Sequence, residues 1–336
     1  MDTMGVGIIG CGMISGNHFH ALSKLSHVSL RAVCDIDEEK LEKAAKEQHA
    51  QGYTSWRELI ARSDIDSVHI CVPHYLHAEI AIAALGAGKH VLCEKPMGVS
   101  LAEAQAMEAA ARDAGTTLTV CFQNRYNGAS QRMKEVIEEG TLGKLLGGSA
   151  FVAWNRAEPY YVNSPWRGRW ETEGGSVLIN QAIHTLDLLR FLAGDLKLAA
   201  CTMSAKRLAE TIETEDTCDM LLQGPDGERY LFYASNCGVS NLPVQMHLTF
   251  EKGEMHLHGA LLTIKGPEGT VTEDYTTALA VGKDYWGSGH GPFIEDFYRR
   301  LLAGDPPYIT PADGRETTRL MEEAYTQAMT VRRRPT

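Results

Sequence analysis

The chain has 336 residues, of which 44% are hydrophobic and 22% are charged, and this composition is typical of folded globular proteins rather than disordered or fibrous ones. At roughly 150 residues per domain, the length predicts about two domains. The 32 Lys and Arg residues are outnumbered by 43 Asp and Glu residues, so the net charge is −11 at pH 7. This charge repels phosphate backbones and anionic membrane surfaces, so we expect neither nucleic acid nor membrane as a partner.

Two further features bear on the cellular compartment. The sequence contains no run of about 18 apolar residues, and no basic segment precedes an apolar stretch at the N-terminus, as it would in a secretory signal. We therefore expect a cytoplasmic protein. The eight cysteines are scattered singly without a Cys-x-x-Cys pair, a pattern that favours buried thiols over a zinc site or a disulfide framework.

The first third of the chain alternates short apolar runs with helical patterns. Because these runs are apolar without alternation, they predict strands of a parallel sheet that is covered on both faces. The predicted strands are Val6–Ile9, Leu30–Cys34, Val68–Val72, His90–Cys93 and Thr117–Cys121. Their alternation with helices predicts a doubly wound α/β domain over residues 1–123.

Residues 124–336 are predicted to form an α+β domain with a mostly antiparallel open sheet. Strand-like runs follow one another with short Gly, Pro and Asp segments between them, which indicates hairpins. These runs are Lys197–Ala205, Thr217–Leu222, Glu228–Ser235, Val244–Phe250, Glu254–His258 and Leu261–Lys265. Helical patterns occur near Ala129–Glu139, Gly175–Leu192, Pro292–Ala303 and Asp313–Val331, and the last two helices could pack back on the first domain.

A glycine-rich turn follows the first predicted strand. Residues 10–15 read Gly-Cys-Gly-Met-Ile-Ser and lead into a helical pattern, which is the strand–turn–helix context of a dinucleotide-binding turn. Gly10 permits the tight turn, and Gly12 lets the backbone approach a pyrophosphate at the helix N-terminus. Ser15 is a small residue in place of a third glycine. We assign the dinucleotide contacts of this turn to Gly10, Gly12, Met13 and Ile14.

An acidic residue ends the second predicted strand. Asp35 is close to the spacing expected for a carboxylate that accepts hydrogen bonds from the adenosine ribose hydroxyls. No arginine stands directly after it to meet a 2′-phosphate, so NAD is favoured over NADP. The alternative is that Asp35 only caps the next helix.

The two following strand ends carry residues suited to a ligand crevice, since open α/β sheets bind ligands at the carboxyl ends of their strands. These residues are Val72-Pro73-His74 and Glu94-Lys95-Pro96, and we expect Val72, Pro73, His74, Glu94 and Lys95 to contact the cofactor. A partly desolvated Lys95 could share a proton with a substrate hydroxyl. The alternative is a surface salt bridge between Glu94 and Lys95.

A polar stripe lies on the apolar helical stretch after Gly174-Gly175. Asn180, His184 and Asp187 fall at i, i+4 and i+7 and need polar partners or a wet cavity. On spacing alone, His184 is interpreted equally well as a core histidine whose hydrogen-bond partner is Asp187 or as a catalytic histidine. The two glycines let a chain segment or a ligand approach the helix N-terminus.

Taken together, the glycine turn, Glu94-Lys95-Pro96, Gly174-Gly175 and the Asn180, His184, Asp187 spacing resemble the Gfo/Idh/MocA family of sugar and polyol oxidoreductases over nearly the whole chain. The resemblance implies a Rossmann domain followed by a substrate domain. It also implies that Lys95 lies near the nicotinamide and the substrate, and that His184 is an acid/base candidate. By the same similarity, Gln123 and Arg125 line the cofactor or substrate cleft.

One departure from the family pattern concerns Asn180, because many members carry Asp there and Asn cannot ionise. The sequence around Trp166, Arg167 and Asn180 is similar to that of a branch of the family, which includes dehydrogenases of nucleotide-linked amino sugars and of glycosides. We expect His184 to accept the proton of a secondary hydroxyl and Lys95 to stabilise the alkoxide, or the reverse. Asn180 would orient His184 or bind the sugar. Tyr160, Trp166 and Arg167, with Arg125, would supply the substrate-binding walls.

Two other functions fit the same residues. One is glycoside cleavage through transient oxidation with NAD retained, and the other is a non-catalytic dinucleotide-binding regulator. No metal is expected, because His256 and His258 lie on one face of a predicted strand without a third ligand nearby in the sequence. The open face of the second sheet predicts a homo-oligomer, a dimer or a tetramer.

Overall fold

The computed structural model describes residues 3–277 and 287–332, and for 330–332 only the backbone. The described residues form two compact units. The first consists of residues 3–122 and 290–318, and the second of residues 123–277, 287–289 and 319–332. Each unit has its own sheet.

The first unit contains a six-stranded parallel sheet in the order β3-β2-β1-β4-β5-β6. Its strands are β1 (Met4–Ile9), β2 (Val28–Cys34), β3 (Gln51–Tyr53), β4 (Ser67–Ile70), β5 (His90–Cys93) and β6 (Leu118–Val120). This order confirms the predicted doubly wound α/β fold and leaves a crevice at the carboxyl ends of β1 and β4, where the order reverses. Strand β3 was not predicted, because three partly exposed residues carry no apolar pattern.

The sheet is buried on both faces, as the unbroken apolar runs predicted. All four residues of β4 are buried, and so are Val6 and Ile8 of β1. The helices of this unit are α1 (Ser15–Leu22), α2 (Glu38–Gln48), α3 (Trp56–Ile60), α4 (His77–Gly86), α5 (Leu101–Ala114) and α9 (His290–Ala303), with a 3₁₀ turn at His74–Leu76. The side chain of Ser100 caps α5 by accepting a hydrogen bond from the backbone N–H of Glu103.

The second unit contains an eight-stranded sheet in the order β14-β13-β12-β11-β7-β10-β9-β8. Its strands are β7 (Leu145–Ala153), β8 (Lys197–Ser204), β9 (Thr217–Gln223), β10 (Arg229–Ser235), β11 (Gln245–Phe250), β12 (Gly253–His258), β13 (Leu261–Gly266) and β14 (Gly269–Asp274). All neighbouring pairs are antiparallel except β7 and β10. This confirms the predicted mostly antiparallel sheet.

The second unit also contains helical elements. They include α6 (Gly128–Glu139), α7 (Glu158–Val162) and α8 (Ile183–Ala193), with a 3₁₀ turn at Gln123–Tyr126; α10 (Pro311–Arg332) ends the described chain. Helix α8 contacts β7. Ala150 and Val152 of β7 face inward and are fully buried, whereas Phe151 between them is only half-buried on the other face.

The stretch predicted as one helix over Gly175–Leu192 is two segments. A π-helix covers Val177–Ala182, and the α-helix begins at Ile183. Because a π-turn closes i→i+5 rather than i→i+4 bonds, Asn180 and His184 do not share the α-helical stripe that their spacing predicted. Periodicity alone does not separate these two kinds of turn.

Two expectations from the sequence concern membrane-spanning helices and the state of the cysteines. No helix among them combines the length and the apolar character that a membrane crossing needs. All eight cysteines are free thiols, and only Cys11 and Cys237 are not fully buried.

Candidate functional site

The glycine turn lies at the carboxyl end of β1. Gly10 has φ +98°, and a Cβ atom there would lie 2.4 Å from the carbonyl oxygen of Cys71, so only glycine fits beside the end of β4. A Cβ atom on Gly12 would meet no atom within 4 Å. The turn therefore has no room for a side chain at Gly10 but leaves open space at Gly12. Gly12 lies just before the first N–H groups of α1. An open glycine at a helix N-terminus fits a pyrophosphate group.

Asp35 lies beside this turn at the end of β2. Its Oδ2 accepts a hydrogen bond from the backbone N–H of Cys11 at 2.7 Å, and its Oδ1 accepts one from the N–H of Asp37 at 2.9 Å. Helix α2 is capped by Asp37, which accepts from the N–H of Lys40. The alternative in which Asp35 caps that helix is therefore wrong. Each carboxylate oxygen retains acceptor capacity for a ribose hydroxyl.

The ends of β4 and β5 are joined by a histidine. In His77, Nε2 lies 2.9 Å from the carbonyl oxygen of Val72, and Nδ1 lies 2.8 Å from that of Pro96. Burial lowers the pKa of His77. The peptide bond between Lys95 and Pro96 is cis, and Lys95 is only half-buried. The predicted cofactor residues Val72, Pro73 and Lys95 therefore lie on neighbouring strand ends, together with His74, which is buried.

Glu94 is buried, and its carboxylate has imidazole partners. Its Oε1 lies 3.0 Å from Nε2 of His18 and 3.6 Å from Nε2 of His290, while Oε2 accepts a 3.3 Å hydrogen bond from the backbone N–H of Lys95. Burial by itself would raise the pKa of Glu94, but the hydrogen bond from His18 and the nearby imidazole of His290 lower it well below its ordinary value. The alternative of a surface salt bridge between Glu94 and Lys95 is therefore wrong.

A buried hydrogen-bonded chain continues from His18. The Nδ1 atoms of His18 and His69 are 2.9 Å apart, and Nε2 of His69 lies 2.8 Å from the hydroxyl oxygen of Tyr298. That hydroxyl lies 2.8 Å from Oγ of Ser67. Burial lowers the pKa of His69 well below its ordinary value. The sequence analysis missed these residues because they come from separate elements and share no local pattern.

In the second unit, Asn180 contacts a carboxylate that the sequence analysis did not consider. Its Nδ2 donates to Oε1 of Glu173 at 2.5 Å, and Glu173 also accepts a hydrogen bond from the N–H of Gly168. Glu173 has no exposed surface. Burial raises its pKa to about 7, against the opposing effect of these two hydrogen bonds. A carboxylate is thus present beside position 180, although position 180 itself cannot ionise.

Aromatic and guanidinium groups surround Asn180. The Tyr160 hydroxyl accepts a hydrogen bond from Nε2 of Gln181 at 3.0 Å and lies 3.4 Å from Nδ2 of Asn180. The Arg167 guanidinium lies 4.3 Å from the Tyr160 ring centre and 4.8 Å from that of Trp166. The predicted substrate residues Tyr160, Trp166, Arg167 and Asn180 therefore form one cluster. His184 lies half-buried in the first turn of α8.

Arg125 and Asp187 form a buried ion pair. Nε and Nη2 of Arg125 each lie 2.7 Å from one oxygen of Asp187, and less than 3% of either side chain is exposed. The pair joins the turn Gln123–Tyr126 to α8. Asp187 therefore directs both oxygens at Arg125, and the interpretation that it also satisfies His184 stays a prediction. A substrate contact by Arg125 stays a prediction, as does the cofactor contact by Gln123, which is buried at the start of the same turn.

The paired glycines before the π-helix are explained by a close chain approach. A Cβ atom on Gly175 would lie 2.0 Å from the hydroxyl of Tyr325 in α10. That hydroxyl donates to Glu215, whose carboxylate also accepts from the N–H groups of Ser176 and Leu178. The sequence left open whether a chain segment or a ligand approaches the paired glycines. In the structure, a chain segment approaches Gly175.

The histidines set aside earlier have neighbours on the outer face of the second sheet. His247 and His256 are opposite each other on β11 and β12, with ring centres 4.0 Å apart. Oε2 of Glu254 lies 3.4 Å from Nε2 of His247 and 3.6 Å from Nε2 of His256, and its Oε1 lies 3.3 Å from Nζ of Lys265. His256 thus lies beside two further potential ligands, His247 and Glu254, so the premise that no third ligand is nearby is wrong, while the absence of a metal stays a prediction.

Sequence comparison agrees with this geometry. Residues 4–122 match the family model for an oxidoreductase family with an NAD-binding Rossmann fold, and residues 130–256 match the model for the GFO/IDH/MocA C-terminal domain. A trans-1,2-dihydrobenzene-1,2-diol dehydrogenase of Mus musculus is 31% identical over 251 residues, which cover 74% of this chain and 72% of that enzyme. The chain belongs to the Gfo/Idh/MocA oxidoreductase family, and its first unit is an NAD-binding Rossmann domain.

Two further proteins are similar to this chain. Levoglucosan dehydrogenase of Pseudarthrobacter phenanthrenivorans is 34% identical over 217 residues, which cover 61% of this chain and 55% of that enzyme. The match thus spans about half the length of that relative. The WlbA dehydrogenase of Bordetella pertussis, solved in complex with NADH and UDP-GlcNAcA, is 27% identical with a TM-score of 0.85, and the match covers 97% of both chains.

Proposed function

We propose that this protein is an NAD-dependent dehydrogenase that transfers a hydride between nicotinamide and a secondary hydroxyl of a sugar, a sugar derivative or a cyclitol. One observation carries the proposal: the strand ends of an NAD-binding Rossmann unit bear Lys95, and the same chain holds a polar and aromatic cluster around Asn180. Relatives named levoglucosan dehydrogenase and inositol 2-dehydrogenase support this substrate class.

The residues of the first unit fit a dinucleotide. When bound, NAD supplies the hydride acceptor of the reaction. Gly12 leaves open space beside the helix N-terminus, and Asp35 offers a carboxylate without an adjacent arginine. The exposed side chain after Asp35 is Ile36, so the residue next to Asp35 supplies no cation for a 2′-phosphate. The residues proposed to hold the cofactor are Gly10, Gly12, Met13, Ile14, Asp35, Val72, Pro73, His74, Glu94, Lys95 and Gln123.

Proton handling is proposed to fall to Lys95 and His184. Oxidation of a secondary alcohol removes a hydride and a proton, so a base must accept the hydroxyl proton and a cation must stabilise the developing alkoxide. We propose His184 as the base and Lys95 as the cation, with the exchange of these roles as the variant to be tested. Asn180 would orient the sugar, and Tyr160, Trp166 and Arg167 would form walls around it.

The test is NADH formation with purified protein, NAD and a panel of inositols, free sugars, glycosides and nucleotide sugars. The expected result is net reduction of NAD by one class and a weaker reaction with NADP. Tight dinucleotide binding with no net reduction across the panel would overturn the proposal and favour the two other functions, the NAD-retaining glycoside-cleaving enzyme and the regulator. Neither alternative gains support from the relatives reported above.

We also propose a homo-oligomer that forms through the outer face of the second sheet. Phe151, Leu231 and Tyr233 lie on that face at neighbouring positions of β7 and β10, and Leu231 is 46% exposed. Exposed apolar groups clustered on a sheet face are typical of an association surface. Light scattering should give the mass of a dimer or a tetramer, and a Leu231→Lys variant should give a smaller one. A monomeric mass for the unmodified chain would exclude the idea.

A further inference from the structure

Two hydrogen-bond donors face the buried carboxylate of Glu173. Oε1 accepts from Nδ2 of Asn180, and Oε2 accepts from the backbone N–H of Gly168. Both donors are N–H groups, so the site selects a side chain with two acceptor oxygens. An ionised carboxylate meets this demand, whereas the oxygen of an amide could satisfy only one of the two donors.

This contact determines which way the Asn180 amide points. Oε2 of Glu173 accepts from the Gly168 N–H and Oε1 faces the Asn180 amide as an acceptor, so the amide turns its NH₂ group toward Glu173. Its Oδ1 then lies on the opposite side of the amide, away from Glu173. The Tyr160 hydroxyl, 3.4 Å from Nδ2, lies on the donor side as well. The amide oxygen is therefore the atom of Asn180 that is directed away from the buried cluster.

We propose that Glu173 is a positioning residue of the active site, which holds the Asn180 amide so that Oδ1 accepts a hydrogen bond from a substrate hydroxyl. This inference rests on the proposed function. It accounts for the departure at position 180, because the carbonyl oxygen of a correctly turned Asn offers the acceptor that an Asp would offer there. Glu173 contributes the acceptor oxygen that fixes the orientation, from a position with no solvent exposure.

Nearby groups fit this role. Glu215, the second buried carboxylate of this region, accepts from the N–H groups of Ser176 and Leu178 and from Tyr325, so it holds the backbone that precedes Asn180. The carboxylate of Glu173 holds the side chain of Asn180. Burial raises the pKa of Glu173 to about 7, and the guanidinium of Arg167 is one of the groups that oppose this rise. The two carboxylates therefore act on different parts of the same segment.

The test exchanges the carboxylate of Glu173 and the amide of Asn180 between the two positions. In Glu173→Gln, the introduced NH₂ group opposes either the Gly168 N–H or the Asn180 NH₂, so we expect kcat to fall by up to about a hundredfold on a substrate from the panel. In Asn180→Asp, two carboxylates face each other, and kcat should also fall. In the double variant, the introduced glutamine can accept from the Gly168 N–H and donate to the introduced aspartate. We expect the double variant to regain most of the activity that the single variants lose.

Thermal unfolding of the same four proteins separates a failure of this inference from a failure of the proposed function. If the contact is as described, each single variant unfolds at a lower temperature and the double variant recovers, whether or not any sugar is oxidised. Glu171→Gln, an exposed glutamate two residues away, is the matched control and should change neither readout. Purely additive effects in both unfolding and kcat would overturn the inference. The inference would also be overturned if the two substitutions were non-additive in their effect on the unfolding temperature but additive in their effect on kcat, because Glu173 would then have only a structural role.

Discussion

Nε2 of His18 lies 3.0 Å from Oε1 of Glu94, and less than 7% of either side chain is exposed. This contact links helix α1, which follows the glycine turn, to the residue directly before Lys95. The second oxygen of Glu94 accepts the backbone N–H of Lys95. The buried pair therefore connects two parts of the proposed cofactor site within one unit.

The first prediction concerns the acid stability that Glu94 provides. Its pKa in the folded protein is below the ordinary 4.5, so its contribution to the free energy of unfolding is present above that value and is lost as the pH falls below it. We expect Glu94→Gln to lower the free energy of unfolding by about 1.5–3 kcal/mol at neutral pH. Urea unfolding measures this. The difference from the unmodified protein should shrink below pH 4.5, and Glu38→Gln on exposed α2 should show no such trend.

The second prediction concerns Lys95. Replacement of Lys95 by Ala removes the proposed stabilising cation, so turnover should fall by about two to four orders of magnitude while NAD binding changes little. Steady-state kinetics and NADH fluorescence titration measure the two quantities. Lys46→Ala, at an exposed position of α2, serves as the control. Near-normal turnover of Lys95→Ala would contradict the proposed role.

The third prediction concerns cofactor choice. An Asp35→Ser/Ile36→Arg variant removes the carboxylate that repels a 2′-phosphate and adds a cation at an exposed position, so the ratio of NADP to NAD affinity should rise by at least about tenfold. Binding titrations with both dinucleotides give this ratio. Asp37→Ala, which removes the cap of α2, should lower stability but leave the ratio unchanged. An unchanged ratio in the double variant would show that Asp35 does not face the ribose.

The fourth prediction concerns the ion pair between Arg125 and Asp187. Because both side chains are buried, Asp187→Ala removes the carboxylate that balances a buried guanidinium, and the free energy of unfolding should fall by about 3–5 kcal/mol. Chemical denaturation measures this. The exposed pair of Lys40 and Asp37 gives the comparison, since Lys40→Ala should cost at most about 1 kcal/mol. Equal effects at the two sites would argue against a structural role for Arg125.

The fifth prediction concerns Glu173 and neutral pH. Its pKa rises from an ordinary 4.5 to about 7 in the folded protein, so the folded state binds more protons than the unfolded state between these values. The free energy of unfolding should therefore decrease as the pH rises from 4.5 to about 7. Glu173→Gln should weaken this decrease. Glu215, whose pKa is also raised by burial, remains in both proteins, so the comparison isolates Glu173. An identical pH dependence in the two proteins would contradict the prediction.

Much of the fold could be predicted from local patterns. The apolar runs located five of the six strands in the first sheet, and strand-like runs between short turn segments located six of the eight strands of the second, all but β7 and β14. Strand β14 (Gly269–Asp274) was missed because it is exposed along nearly its whole length, and an edge strand without a buried face carries no apolar pattern. The π-helix at Val177–Ala182 was missed because its sequence also suits an α-helix.

Some residues of the candidate site could also be predicted from the sequence. Gly10 could be assigned from the glycine turn between a predicted strand and a predicted helix, and its positive φ angle next to Cys71 explains why the turn needs glycine there. Glu173 could not, because its sequence context is an exposed-looking Glu-Thr-Glu, and its full burial depends on Gly168 and Asn180. The partners of Glu94 were hidden for the same reason, since His18 lies 76 residues away in the chain.

The sequence by itself determined the order of strands and helices, the glycine turn, and the residue types that suit NAD and a sugar. These depend on periodicity and backbone freedom, which are properties of near neighbours. Only the tertiary structure decided which polar groups meet: Glu94 with His18, Arg125 with Asp187, and Glu173 with Asn180. A buried polar group must be satisfied by whatever donor or acceptor the fold places beside it, and that neighbour comes from a distant part of the chain or from a turn whose geometry the sequence pattern does not reveal.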